Sequence, residues 1–97
     1  MLAGVIKSFA DKRTAAIFQG RFVRGLPQDM QARARTKLLM IDAAEDVLDL
    51  RTPPGNRLEA LKGDRARRYS IRINDQWRVC FAWTDDNAHE VEIVDYH

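Results

Sequence analysis

The stretch Arg68-Tyr69-Ser70-Ile71-Arg72-Ile73-Asn74-Asp75-Gln76-Trp77-Arg78-Val79-Cys80-Phe81-Ala82-Trp83 decides the fold. Tyr69, Ile71 and Ile73 alternate with Arg68, Ser70 and Arg72; past Asn74-Asp75, Trp77, Val79, Phe81 and Trp83 alternate with Arg78, Cys80 and Ala82. A period of two predicts two half-buried antiparallel strands around a turn. Asp85-Asp86-Asn87 supplies a second turn, with His89 in the turn region and solvated, and Glu90-Val91-Glu92-Ile93-Val94-Asp95-Tyr96 a last strand. If Tyr69, Ile71, Trp77 and Val79 face a covering layer, Arg68, Arg72 and Arg78 gather on the other face. Guanidinium groups so placed repel one another. A polyanionic ligand is the economical explanation, and neutralisation by a cross-strand acid such as Glu92 is the alternative.

Upstream of this meander, Thr52-Pro53-Pro54-Gly55-Asn56 is the one Pro/Gly cluster, and it divides the chain. Before it, Val5-Ile6-Lys7-Ser8-Phe9 reads as a strand, and Asp11 is placed to cap a helix that runs through Phe18 and ends near Gly20. A second helix opens near Pro27. Met30, Ala34, Leu38 and Ile41 recur on one face of it, with Gln31, Arg35 and Asp42 on others. The helical pattern continues through Val47-Leu48 to about Leu50, where Pro53 and Pro54 stop it. The expected class is α+β: two N-terminal helices packed on one face of a small, mainly antiparallel twisted sheet, with residues 1–97 as a single domain.

With 45% apolar and 31% charged residues, the composition is that of a globular chain and excludes a disordered one. No apolar run approaches the roughly 18 to 20 residues of a membrane span, and Met1 to Lys7 lack the layout of a signal peptide, so a cytoplasmic address is expected, with no membrane partner. Cys80 is the single cysteine and reads as a strand residue. The net charge of +2 conceals an uneven distribution. Arg57, Lys62, Arg65, Arg67, Arg68, Arg72 and Arg78 stand in one segment against Glu59, Asp64 and Asp75, while Val79 to His97 holds five acids and no Lys or Arg. Such a field favours phosphate as the partner class; a solvated basic face is the rival reading.

Candidates for acid-base chemistry are few. His89 and His97 are the groups that titrate near neutrality without a large shift. The strand pattern runs up to the tail, so Asp95-Tyr96-His97 presents a carboxylate, a phenol and an imidazole at the end of a paired strand, facing the arginines. The sequence has no phosphate-cradling glycine loop, no zinc-ligand spacing, no nucleophile elbow and no acid cluster of two-metal layout, so neither metal nor cofactor is expected. RNA suits what remains. Its 2′-hydroxyl is a built-in nucleophile that needs alignment with the adjacent phosphate, a base, a cation for the developing charge and an acid for the leaving oxygen.

Four motifs in order then resemble one family: Leu58-Glu59-Ala60-Leu61-Lys62-Gly63-Asp64-Arg65, the pair Tyr69 to Ile73 and Asn74 to Val79, the ending Val94-Asp95-Tyr96-His97, and the opening Ile6-Lys7-Ser8-Phe9. From Val5 onward the chain resembles the HigB toxins of the RelE superfamily, and Pro53 to Leu58 with Asp75-Gln76-Trp77-Arg78 is similar to their GraT branch. The resemblance implies a RelE-like fold and a ribosome-dependent endoribonuclease that cuts translated mRNA, held inactive by a HigA-type helix-turn-helix antitoxin and touching DNA only through it. It assigns Lys62 and Arg78 to phosphate and transition-state contacts and Asp95, Tyr96 and His97 to a C-terminal catalytic trio, with Arg57, Arg65, Arg67, Arg68 and Arg72 on the RNA- or ribosome-binding surface. One departure stands out. Glu59 occupies a position where several HigB toxins have histidine, and a carboxylate is the weaker base unless burial raises its pKa, so Glu59 and His97 are both candidates for the general base. A binding module that docks on RNA or the ribosome without cleaving is the alternative function.

Overall fold

The computed structural model describes residues 4–62 and 67–96. Helix α1 spans Lys12–Phe18 and helix α2 spans Gln28–Ala43. They are followed by two short 3-10 turns, Val47–Arg51 and Pro54–Asn56, and then by strands β1 (Glu59–Ala60), β2 (Arg68–Arg72), β3 (Trp77–Thr84) and β4 (Asn87–Asp95). The four strands form one antiparallel sheet in the order β1-β2-β3-β4, so each strand pairs with its neighbour in sequence. The two helices cover one face, as the apolar periodicities require.

Local chemistry accounts for the boundaries. Asp11 accepts the amide of Thr14 at 2.7 Å and so satisfies one of the orphan donors at the start of α1. Asp85 and Asp86 both take positive φ, which gives the β3–β4 hairpin the backbone twist of its strands. In the β2–β3 connection the Asn74 carboxamide oxygen accepts the amides of Gln76 and Trp77, each at 2.9 Å, a side chain standing in for a backbone turn.

The core lies between the helices and the inner face of the sheet. Met30, Ala34, Leu38 and Ile41 from α2 meet Ile71, Val79, Phe81, Val91 and Ile93, all buried. Tyr69 stacks on Phe81 with ring centroids 6.2 Å apart, and Trp83 meets Phe81 edge-on at 6.3 Å.

Four expectations require correction. The helical pattern does not run to Leu50: α2 ends at Ala43, because Asp46 and Asp49 bind nearby amides and compete with a continued helix. Val5 to Phe9 is not a full strand; it meets β4 through isolated parallel bridges, Ile6 to Ala88 and Phe9 to Val91. Gln31 is buried, since its side chain ties down the loop before α2 by bonding the backbone of Val23 and Leu26. His89 lies within β4, opposite Ala82 and half-buried, not in a solvated turn. Strand β1 is an element that the periodicity does not predict, and Leu61 extends its pairing by donating to the Arg68 carbonyl at 2.8 Å. Among the described residues no helix is long and apolar enough to cross a membrane.

Candidate functional site

The outer face of the sheet carries the polar residues of the alternation, and register decides which of them meet. Glu59 pairs with Ser70, Ser70 with Cys80, and Cys80 with Glu92, so these four form one row across the sheet. In the next row Arg72 pairs with Arg78, and Arg78 with Val94. Arg68 sits further along, opposite Ala82.

Arg78 is the centre of this face, and it is 7% exposed. Its Nε donates to Ser70 Oγ at 2.9 Å, and one terminal nitrogen donates to the carbonyls of Arg57 at 2.6 Å and Ser70 at 3.2 Å. The Arg57 carbonyl is available because Arg57 takes a left-handed conformation, φ 46 and ψ 57, as the chain leaves the Pro54–Asn56 turn. Hydrogen bonds from a guanidinium to neutral oxygens replace lost hydration without neutralising the charge. Its ion partner is Glu59, with an oxygen 3.7 Å from the same nitrogen and a side chain 56% exposed. The Tyr96 ring covers the guanidinium from the end of β4, 5.6 Å from carbon to centroid. Thus β1, β3 and the tail deliver a carboxylate, a fixed cation and a phenol to one place.

The tail is held there by Gln76. Its carbonyl accepts the Tyr96 amide at 2.6 Å, and its carboxamide donates to Asp95 at 3.1 Å. Asp95 pairs in register with Trp77, which turns it to the face away from Arg78. Of the C-terminal trio, therefore, Tyr96 meets the arginine and Asp95 secures the strand end, while His97 lies outside the described residues.

The other cations are spread out. Arg68 pairs with Glu90 at 3.3 Å, and Arg72 forms an ion pair with Asp75. The three arginines that alternation groups on one face thus each have an acidic partner, and none of the partners is Glu92. Arg57 and Arg67 expose their side chains, and the Arg67 carbonyl accepts the Trp83 amide at 2.8 Å. Lys62 is exposed two residues beyond β1, and Arg65 lies outside the described residues. Cys80 is buried in the row between Ser70 and Glu92; burial first, and then the Glu92 carboxylate, push its thiol pKa up. Among the described residues no group of three or more His, Cys, Asp or Glu is placed to hold a metal ion.

Sequence reading missed Ser70, Gln76 and the Arg57 carbonyl. Ser70 carried a usable signal, since it is the small polar residue between two arginines on the outer face of β2, in register with Glu59. The Arg57 carbonyl carried none, because a backbone acceptor depends on one dihedral pair.

Comparison with known proteins gives the family and the fold. The family described as "RelE-like toxin of type II toxin-antitoxin system HigB" matches residues 7–97. Toxin HigB-1 of Vibrio cholerae is 44% identical over 65 residues, covering 67% of this chain and 68% of the relative. Endoribonuclease HigB of Proteus vulgaris is 31% identical over 93 residues, covering 96% of this chain and 100% of the relative. The solved YoeB-YefM complex from Staphylococcus aureus shares the fold, with a TM-score of 0.53 at 17% identity over 95% of this chain and 97% of that one. A match through the meander, the Arg78 site and the tail places the chain in the family of RelE-like toxins of the type II toxin–antitoxin system HigB.

Proposed function

We propose that this toxin is an endoribonuclease that cuts mRNA on the translating ribosome, in the cytoplasm, without a metal ion. The observation that carries the proposal is the meeting of Arg78, Glu59 and Tyr96 on the outer face of the sheet. In the reaction the RNA 2′-oxygen forms a bond to the adjacent phosphorus and the bond from phosphorus to the 5′-oxygen breaks. The products are a 2′,3′-cyclic phosphate and a 5′-hydroxyl. A base takes the 2′-hydroxyl proton and an acid returns one to the leaving oxygen.

Arg78 suits the charge that builds on the phosphoryl oxygens. Its bonds to Ser70 and Arg57 fix the guanidinium before substrate arrives, so no reorganisation is required as the charge develops. Glu59 is the exposed carboxylate within reach and serves as base, with His97 as the other candidate; a phosphate entering beside Arg78 releases Glu59 from its ion pair. Tyr96 orients the phosphate or protonates the leaving group, and Asp95 with Gln76 positions the tail. Lys62 and the side chains of Arg57, Arg65, Arg67, Arg68 and Arg72 supply phosphate contacts to mRNA or ribosomal RNA. Ribosome dependence is part of the proposal, supported by the exposure of Glu59 and Tyr96 on the sheet face: a message held on the ribosomal surface would be aligned there for attack. The partner that silences the toxin is a HigA-type helix-turn-helix antitoxin from the adjoining reading frame.

The test uses the purified chain, a translated message and mapped 5′ and 3′ ends, with and without ribosomes and with chelator added. Cleavage on ribosomes, insensitive to added chelator once ribosomes are intact and leaving a cyclic phosphate, is expected. It disappears with Arg78→Ala, with deletion of His97, and with a 2′-deoxy nucleotide at the cut site. Cleavage that survives the 2′-deoxy substitution overturns the mechanism, and ribosome binding with no cut ends supports the binding module instead.

A further inference from the structure

The helical layer carries positive charge of its own, in addition to the Arg57 to Arg78 segment. Between Lys12 and Lys37 stand seven basic residues, among them Arg21, Arg24, Arg33 and Arg35, against one acid, Asp29. The ion pairs found among the described residues all lie on the sheet and its loops, and none involves these cations. Lys37 stands where this charge meets the sheet: burial first, then Arg33 of α2 and Arg72 of β2, push its ammonium pKa down.

Within this field the end of α1, the following loop and the first half of α2 line an open recess of about 180 Å³. Its lining includes Ile17, which is 1% exposed, together with Phe22, Ala32, Arg21 and Arg35. Phe22 is 62% exposed, more than any other large apolar side chain among the described residues. An aromatic ring left in water beside an apolar recess is a feature that a partner would cover.

The lining also selects the kind of partner. Both amide hydrogens of Gln31 are committed to the carbonyls of Val23 and Leu26, and its oxygen accepts from Val23. Arg35 Nε is committed to the Phe18 carbonyl at 3.2 Å. The recess thus offers apolar surface and positive charge, but no uncommitted neutral side chain to read the polar edge of a nucleobase. An apolar side chain flanked by carboxylates fits it better than a nucleotide does.

We propose that this recess receives one large apolar side chain of an acidic protein segment, and that the segment belongs to the antitoxin. The second half rests on the toxin–antitoxin reading above. The helices cover the sheet face opposite Arg78, so the segment and the RNA substrate occupy different sides of the molecule.

The experiment measures, by calorimetry, binding of the purified full-length chain to the antitoxin from the adjoining reading frame, at low and moderate salt. The variants are Ala32→Trp, which fills the recess, Phe22→Ser, which removes its aromatic wall, and Arg21→Glu, which reverses charge at its edge. Each is expected to weaken binding by on the order of tenfold or more, with the wild-type affinity falling as salt rises, while mRNA cleavage on ribosomes and the thermal midpoint are unchanged. Phe22 lies in an exposed loop, so its variant keeps the proposal testable if Ala32→Trp disturbs α2. Affinities within about twofold of wild type in folded variants overturn the proposal. Loss of ribosome association with unchanged antitoxin affinity also overturns it and makes RNA the occupant. A wild-type chain that binds no antitoxin overturns the reading beneath it, so the two failures are distinct.

Discussion

Replacing Asn56 by alanine should unfold the approach to the active face before it touches any reacting group. Asn56 is 0% exposed, and its side chain holds the segment between α2 and β1 together. Its amide nitrogen donates to the carbonyls of Leu50 at 3.1 Å and Thr52 at 3.4 Å, and its oxygen accepts from Lys37 Nζ at 2.6 Å. Truncation leaves the Leu50 carbonyl without this buried donor, a loss of about 1 to 3 kcal/mol, and the weaker contacts add about 1 kcal/mol more. The total, about 3 kcal/mol, corresponds in a domain of this size to a fall in thermal midpoint on the order of 12 to 24 °C. Urea unfolding followed by the fluorescence of Trp77 and Trp83 measures it directly, since ΔG and midpoint shift together while the slope stays fixed. Because Arg57 follows Asn56 and its carbonyl accepts from Arg78, cleavage should fall more than the unfolded fraction explains. Asn56→Asp is the control: it keeps the acceptor for Lys37 and loses the donor to Leu50, and should also be destabilised. A loss below about 1 kcal/mol for alanine, or an aspartate variant as stable as wild type, would refute the assignment of that amide as the clip.

Further outcomes follow from the same geometry. Glu59→Gln should slow cleavage by on the order of a hundredfold while Glu59→His retains it and moves the rate profile toward neutral pH; a glutamine variant with wild-type rate removes Glu59 from the chemistry. Tyr96→Phe keeps a ring over Arg78 and should lower kcat with little change in KM, whereas Tyr96→Ala should also lose the ring contact, about 0.5 to 1 kcal/mol, seen as a small drop in stability. The thiol of Cys80 is raised in the folded chain, so its contribution to stability is full below the unfolded thiol pKa and is lost as pH rises through that range toward the folded value. Native protein should therefore react slowly with a thiol reagent at mildly alkaline pH and quickly in urea, and Cys80→Ala should flatten the alkaline fall in unfolding midpoint.

Much of the fold was legible because two signals are local. The alternation from Arg68 to Trp83 fixes which side chains share a face, and the 3.6-residue recurrence of Met30, Ala34, Leu38 and Ile41 fixes the covering helix. What escaped depended on contacts distant in sequence or on a single dihedral. Gln31 falls outside the apolar stripe, and only the loop that it ties down makes it a core residue. Asp46 and Asp49 sit in a run that looks helical by period, but their carboxylates bind the nearby amides instead. At the site, alternation grouped Arg68, Arg72 and Arg78, whereas their acids came from elsewhere: Glu90 in β4, Asp75 in a turn and Glu59 in a strand of two residues. Alternation shows which face a residue occupies; it does not show which partner will reach it.

The shallow pairing of the N-terminal segment with β4 bears on how this chain avoids its own copies. A sheet presents two rims, and an open rim invites a strand from another molecule. Along β4 the amides of Ala88 and Val91 are taken by the carbonyls of Val5 and Ser8, that of Glu90 by the Ser8 hydroxyl and that of Ile93 by the Thr14 hydroxyl. The opposite rim is β1, two residues long and too short to template much pairing. Deleting the first ten residues should bare the β4 rim, and the shortened chain should self-associate through it.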